Sequence, residues 1–189
     1  MRPTDLLLPA ALVLTSFNLT AYAQQHQHAP SLEAHQHGVA TLNIALEEQQ
    51  LALELHSPAI NIVGFEYQPR SDADKQAVLV AERTLKNEQL LFKLTPAAQC
   101  ALSAVSINND LAEHSDEHHS PAEHEDQHQH SDIQVSYQFN CAVPAKLAEI
   151  DLDGVFKAFP LTETIHVQLI SANAQQGVEL SQGNTAIRW

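Results

Sequence analysis

The sequence has no apolar run long enough to cross a membrane. A transmembrane helix needs ~20 consecutive, mostly apolar residues, and the best candidate, residues 6–17, is interrupted by Pro9 and Thr15. With Arg2 before this run and Ala-Tyr-Ala at 21–23, the segment has the features of a secretory signal peptide. We therefore expect cleavage after residue 23 and an exported chain that is not inserted in a membrane.

Basic residues are also scarce. The chain has 9 Lys and Arg residues against 23 Asp and Glu residues, for a formal net charge of -14, and no basic residue occurs between Lys93 and Lys146. Because like charges repel, this balance argues against nucleic acid or an anionic membrane as a partner. It favours metal cations instead.

Sulfur-containing residues are few. The only methionine is Met1, and the only cysteines are Cys100 and Cys141. An even pair of cysteines in an exported protein predicts a disulfide, which would lie at the base of the polar segment between them. A pair of thiolate metal ligands is the weaker alternative. The lack of methionine-rich or thiolate sites argues against cuprous copper as the ligand.

Apolar periodicity predicts the fold. Alternation over residues 40–46 and 51–55 predicts a β-hairpin in which Leu46 pairs with Leu51. A capping box at Ser71, followed by apolar residues at helical spacing, predicts one main helix that runs to Asn87. Further strands are predicted over 90–94, 102–107, 133–141 and 165–170, with an apolar turn over 155–160 and one or two strands at the end of the chain.

These elements predict an α+β fold, mainly antiparallel β in a sandwich-like sheet, with one main helix and a disordered His/Asp/Glu-rich insert. We expect a flexible, histidine-containing arm over residues 24–37 and a single metal-binding domain over residues 38–189. The insert occupies residues 113–132.

Histidine, in contrast to the residues above, is abundant, with 12 in the chain. Residues 113–132 read EHSDEHHSPAEHEDQHQHSD, with six histidines and no Lys, Arg or large apolar residue. Imidazole nitrogen and carboxylate oxygen are natural donors for zinc, and such polar tracts stay disordered. We predict a flexible collector of several Zn2+ ions. Its predicted ligands are His114, His118, His119, His124, His128, His130 and Asp132.

One ordered site is predicted from strand phase. Apolar residues occupy the odd positions from Ile133 onward, so the polar residues just before it would share the outward face if the strand extends backwards. The His-x-His spacing recurs just before the first strand, and the two groups could converge on one ion. The predicted members of this site are His35, His37, His128, His130 and Asp132.

Two strand histidines are interpreted differently. In the predicted hairpin register His56 lies opposite Thr41, too far from His37 to share an ion unless the chain bends at Gly38. We interpret His56 as an exposed strand histidine, and His166 likewise.

Two strings in the insert match zinc-enzyme motifs. Residues 124–128 (HEDQH) fit H-E-x-x-H, and residues 114–118 (HSDEH) fit H-x-x-E-H. Those motifs act on a helix packed into a catalytic core, whereas these strings have no apolar residues to pack and Pro121 separates them. We interpret both as coincidental and expect no enzymatic activity.

Three stretches carry a resemblance to a known family. They are HQHGVATLNIAL at 35–46, SPAINIVGFEYQP at 57–69 and LDGVFKAFP at 152–160, together with two cysteines around a His/Asp/Glu-rich insert. In these the chain resembles the ZrgA-like zinc-regulated periplasmic proteins of Gram-negative bacteria. It departs from the family pattern at His56, where an acid is usual, and at Tyr67, where the family often has histidine.

The resemblance implies a periplasmic zinc-binding protein, made under zinc starvation, that assists zinc acquisition by a periplasmic or inner-membrane uptake component. It implies that His35, His37 and the insert histidines are the donors, and it implies no catalytic activity. The alternative is a storage or detoxification protein for zinc, copper or nickel, because histidine binds Cu2+ and Ni2+ at least as well. A zinc-dependent hydrolase is the third candidate.

Overall fold

The computed structural model describes residues 36–111 and 131–189 of the chain. The predicted signal peptide, the arm as far as His35 and insert residues 113–130 lie outside these ranges. The strands are β1 Val39–Glu47, β2 Gln50–Pro58, β3 Lys93–Leu94, β4 Cys100–Asn109, β5 Asp132–Cys141, β6 Glu149–Asp151, β7 Thr164–Ser171, β8 Gln175–Ser181 and β9 Ala186–Arg188. The helices are α1 Ala59–Val63, α2 Asp72–Leu85, α3 Glu88–Leu91 and α4 Asp153–Ala158.

The strands form two sheets. Six strands pair in the order β4-β5-β2-β1-β7-β8, and three pair in the order β3-β6-β9. Neighbours are antiparallel except β1 and β7, which are parallel. The predicted α+β class, mainly antiparallel β with one main helix, is confirmed.

The β1–β2 hairpin has the predicted register. Leu46 pairs with Leu51 and Thr41 pairs with His56. Because side chains alternate along a strand, Leu42, Ile44 and the leucines of β2 are buried on one face. The opposite face carries the polar residues, including His56.

Strand β5 also follows the predicted phase. Ile133, Val135, Tyr137 and Phe139 are buried, which places Gln134 and the other even-numbered residues on the polar face. The Tyr137 hydroxyl donates a hydrogen bond to the Leu85 carbonyl oxygen at 2.7 Å, at the end of α2. Burial raises the pKa of the Tyr137 phenol, so it remains a hydrogen-bond donor at neutral pH.

Helix α2 begins with the predicted capping box. The Asp74 N–H donates to Ser71 Oγ at 3.1 Å, and the Ser71 N–H donates to Asp74 Oδ2 at 3.0 Å. The second bond lowers the pKa of the Asp74 carboxyl. Val78, Ala81 and Leu85 then lie on the buried side of the helix.

Two short elements differ from the prediction. Residues 88–91 form helix α3, and only Lys93–Leu94 of the predicted strand pairs with β6. Residues 153–158 form helix α4 in place of an apolar turn. A short apolar run does not distinguish a helix from a strand or a turn. The two helices pack closely, since a Cβ on Gly154 would overlap the Leu90 carbonyl oxygen.

The disulfide pairing is confirmed, but its predicted place is wrong. Cys100 and Cys141 are bonded and form the cross-strand pair at one end of the β4–β5 ladder. Residues 112–130 connect the two strands at the other end, beyond the pair Asn109 and Ile133. The bridge lies about 30 Å from the strand ends that adjoin the insert, estimated from strand rise, and therefore closes the far end of the hairpin.

Candidate metal centre

The first histidine that the structure describes, His37, lies beside a carboxylate. Its Nε2 is 3.2 Å from Glu66 Oε1, in the segment that follows helix α1. The Glu66 side chain is only 13% exposed, whereas that of His37 is 55% exposed. The chain bends between His37 and β1, because Gly38 has a φ of +83°. The imidazole is therefore held at the protein surface against a largely buried acid.

A second histidine–carboxylate pair joins β2 to β5. His56 Nε2 lies 3.4 Å from Asp132 Oδ2, and both side chains are partly buried, at 31% and 20% exposed. In the ladder His56 pairs with Gln134 and Pro58 pairs with Asp132, so the two residues are diagonal neighbours on one face of the sheet. His56 is thus less exposed than predicted.

The two pairs lie at the same end of the six-stranded sheet and are linked by hydrogen bonds. Gln68, two residues after Glu66, donates from Nε2 to the Asp110 carbonyl oxygen at 2.8 Å. The Asp110 N–H donates to the Asp132 carbonyl oxygen at 3.2 Å, and the Asp132 N–H donates to Asp110 Oδ2 at 3.1 Å. The loop that carries Glu66 is therefore tied to the strand ends that carry Asp132.

Both histidine-rich segments join the described fold at this end. His35 directly precedes the described residues, and residues 112–130 leave from Leu111 and return at Ser131, both of which are buried. The Ser131 carbonyl oxygen accepts a hydrogen bond from the Ala59 N–H at 2.8 Å. The insert therefore returns next to Asp132 of the second pair, and the arm adjoins His37 of the first pair in sequence.

Of the predicted ligands, the structure describes two. His37 and Asp132 both lie in this region, but each is paired with a residue outside the predicted set, namely Glu66 and His56 respectively. The remaining predicted ligands lie outside the described residues. They are His35, His114, His118, His119, His124, His128 and His130.

Glu66 is one residue of the candidate centre that sequence reasoning missed. It lies in the SPAINIVGFE string, which served only as a mark of resemblance. Its proximity to His37 depends on the bend at Gly38 and on helix α1, and neither follows from periodicity.

His166 and Glu179 form a third, more exposed pair on the face of the sheet that carries His56. His166 lies across Thr41 from His56, since Thr41 pairs with both residues. Its Nδ1 is 3.8 Å from Glu179 Oε2, and the two side chains are 54% and 67% exposed. This spacing and exposure are typical of a solvated surface pair.

The donor chemistry of the two less exposed pairs suits zinc. Each offers an imidazole nitrogen and a carboxylate oxygen, both of which are common zinc ligands. The carboxylate can alternatively orient a histidine whose other ring nitrogen binds the ion. Within residues 36–111 and 131–189 no group of three or more His, Cys, Asp or Glu side chains is arranged to hold a metal ion. A four-coordinate zinc ion at either pair would therefore need further donors.

The comparison with protein families bears on this chemistry. The model of the ZrgA family, described as zinc uptake proteins, matches residues 34–189. The chain belongs to the ZrgA family. No curated protein matches it in sequence.

The family match covers both pairs of the centre and the whole insert. Membership assigns this ZrgA-family chain a role connected with zinc uptake, and it confirms the resemblance noted from the sequence. No helix in the described part of this ZrgA-family chain is long and apolar enough to cross a membrane.

Proposed function

We propose that the protein captures and buffers zinc in the periplasm and assists zinc acquisition without catalysing a reaction. One observation carries the proposal. The pairs His37–Glu66 and His56–Asp132 lie at the end of the sheet where both histidine-rich segments join the fold. Family membership and the disulfide, which is typical of proteins outside the cytoplasm, support the location and the zinc-related role.

The two parts of the binding system have different tasks. The insert provides many donors and a high density of acidic residues, which raises the local concentration of cations. The pairs at the end of the sheet provide donors that the fold holds in place. Histidines adjoining the pairs in sequence, such as His35 and His130, would supply the further ligands that a four-coordinate ion requires.

Release of the ion follows from the same chemistry. Histidine binds zinc only as neutral imidazole, so each site competes with protons as well as with other ligands. Sites built from several interchangeable donors give moderate affinity, which suits a buffer that passes zinc to an uptake component. We propose that the H-E-x-x-H string of the insert acts as ligands and not as a catalytic motif.

Storage or detoxification of zinc, copper or nickel is the alternative, because imidazole donors do not discriminate against Cu2+ and Ni2+. Growth of a strain that lacks the gene separates the two functions. For acquisition, we expect slow growth in medium treated with a zinc chelator and recovery when zinc is added. A growth defect only in excess metal would support storage or detoxification and contradict acquisition.

A further inference from the structure

Asn61 is a buried polar residue beside the candidate centre. It lies in helix α1 and is 2% exposed. Its Oδ1 accepts a hydrogen bond from the Gly38 N–H at 2.7 Å, and its Nδ2 donates to the Val39 carbonyl oxygen at 3.0 Å and to Ser57 Oγ at 3.1 Å. One side chain therefore joins the start of β1, the end of β2 and helix α1.

The backbone at Gly38 is held from its other side as well. Its carbonyl oxygen accepts hydrogen bonds from the N–H groups of Glu163 and Thr164 at 2.7 and 3.0 Å. Its φ of +83° is a conformation that glycine adopts at little cost. A Cβ at this position would also come within 3.2–3.3 Å of the Glu163 side chain. Hydrogen bonds on both sides of Gly38 and its positive φ therefore hold the backbone bend directly after His37.

This bend decides where His37 lies. If β1 continued without it, His37 would share the polar face with Thr41, since the two positions have the same strand phase. The bend places the imidazole beside Glu66 instead, at 3.2 Å. Glu66 reaches the same place because helix α1, which carries Asn61, ends at Gly64 with a φ of +88°.

We propose that Asn61 is the positioning residue of the zinc centre, which holds His37 against Glu66 by fixing the Gly38 bend. This inference rests on the proposed zinc function. Asn61 itself binds no ion. Residues that orient a metal ligand typically change metal affinity 10–100-fold when they are replaced.

The test measures each histidine of the full mature chain separately. Diethyl pyrocarbonate modifies neutral imidazole, bound zinc protects it, and mass spectrometry locates the modified residues. Protection of His37 is followed against zinc concentration in the wild type, in Asn61→Ala and in Gly38→Ala. Gly38→Ala disturbs the same bend while Asn61 is intact. If Asn61→Ala does not fold, Gly38→Ala still tests whether the bend sets the zinc affinity of His37.

Val78→Ala is the matched control, because it removes apolar volume from the buried side of helix α2 and lowers stability without changing the Gly38 bend or the His37–Glu66 pair. We expect Asn61→Ala and Gly38→Ala to require roughly tenfold more zinc for half-protection of His37, with unchanged protection of the insert histidines. Val78→Ala should leave His37 unchanged.

An unchanged His37 midpoint in a folded Asn61→Ala or Gly38→Ala variant would overturn the positioning role, as would an equal shift in Val78→Ala. The proposed function would stand in either case. If zinc protects no histidine in the wild type, the proposed function itself fails.

Discussion

His56 Nε2 lies 3.4 Å from Asp132 Oδ2, which joins the end of β2 to the strand that follows the insert. In the β2–β5 ladder His56 pairs with Gln134, and Asp132 lies two residues before Gln134 on the same face of the sheet. The strand register therefore makes His56 and Asp132 diagonal neighbours. Periodicity places each residue on the polar face, but only the strand order brings them together.

The first prediction concerns this pair. Replacing His56 with Gln or Asp132 with Asn should weaken zinc binding at the end of the sheet roughly 10–100-fold, because each change removes a ligand or its orienting partner. Protection from diethyl pyrocarbonate as a function of zinc concentration measures the effect, at His37 in both variants and also at His56 in Asp132→Asn.

His166→Gln is the control, since it removes an exposed histidine from the same face. It should leave the protection of His37 unchanged. If Asp132→Asn and His166→Gln give the same result, the pair has no special role in zinc binding.

The second prediction concerns the disulfide. Replacing Cys100 and Cys141 with Ser opens a loop with a sequence separation of 41 residues and should lower the free energy of unfolding by about 4 kcal/mol. Zinc binding by the folded variant should be unchanged, because the bridge lies at the far end of the β4–β5 hairpin from the insert. Urea denaturation and zinc titration measure the two quantities. Loss of zinc capacity in the folded variant would contradict this arrangement.

The third prediction concerns Tyr137. Phe in its place removes the hydrogen bond to the Leu85 carbonyl oxygen and should lower the free energy of unfolding in urea by about 1–2 kcal/mol, since a buried acceptor loses its donor. Tyr67→Phe changes an exposed side chain and should cost less than about 0.5 kcal/mol. Equal effects of the two substitutions would show that the Tyr137 hydroxyl contributes little.

The fourth prediction concerns pH. Burial raises the pKa of the Asp151 carboxyl, but hydrogen bonds from Thr185 Oγ1 and the Asp153 N–H, together with the Lys93 charge, outweigh it and lower the pKa below its usual value of 3.8. A lowered pKa contributes stability above the unfolded-state pKa, and this contribution disappears as pH falls through the folded-state pKa.

Thr185→Val should therefore lower the free energy of unfolding by about 1 kcal/mol at pH 7, a value reduced for partial exposure. The loss should be much smaller in acid below the folded-state pKa, where the carboxyl is protonated in both states. Urea denaturation at the two pH values measures it. An effect that does not change with pH would contradict the role of the carboxylate.

Much of the fold follows from local patterns. The hairpin register, the capping box at Ser71 and the phase of β5 were predictable because each depends on residues close together in sequence. The cysteine pairing was predictable because the chain has only two cysteines. Helices α3 and α4 were not predicted, since runs of four to six residues carry no clear period.

The candidate centre was predicted only in part. His37 and Asp132 belong to chemically distinctive segments, so the sequence marks them. Glu66 and Asn61 are single polar residues in an apolar string. Glu66 contacts His37 and Asn61 contacts Gly38, and periodicity does not reveal contacts between residues so far apart in sequence. His56 was interpreted as exposed because the hairpin alone does not show that Asp132 lies beside it.

Competitive zinc titration of the mature protein tests the central claim most directly. The comparison is with a variant in which a short Gly-Ser linker replaces residues 112–130, because Leu111 and Ser131 are buried and Asp132 begins β5. We predict that the variant folds, loses most of its zinc stoichiometry and keeps weak binding at the end of the sheet. Unchanged stoichiometry and affinity in the variant would contradict the assignment of zinc capture to the insert.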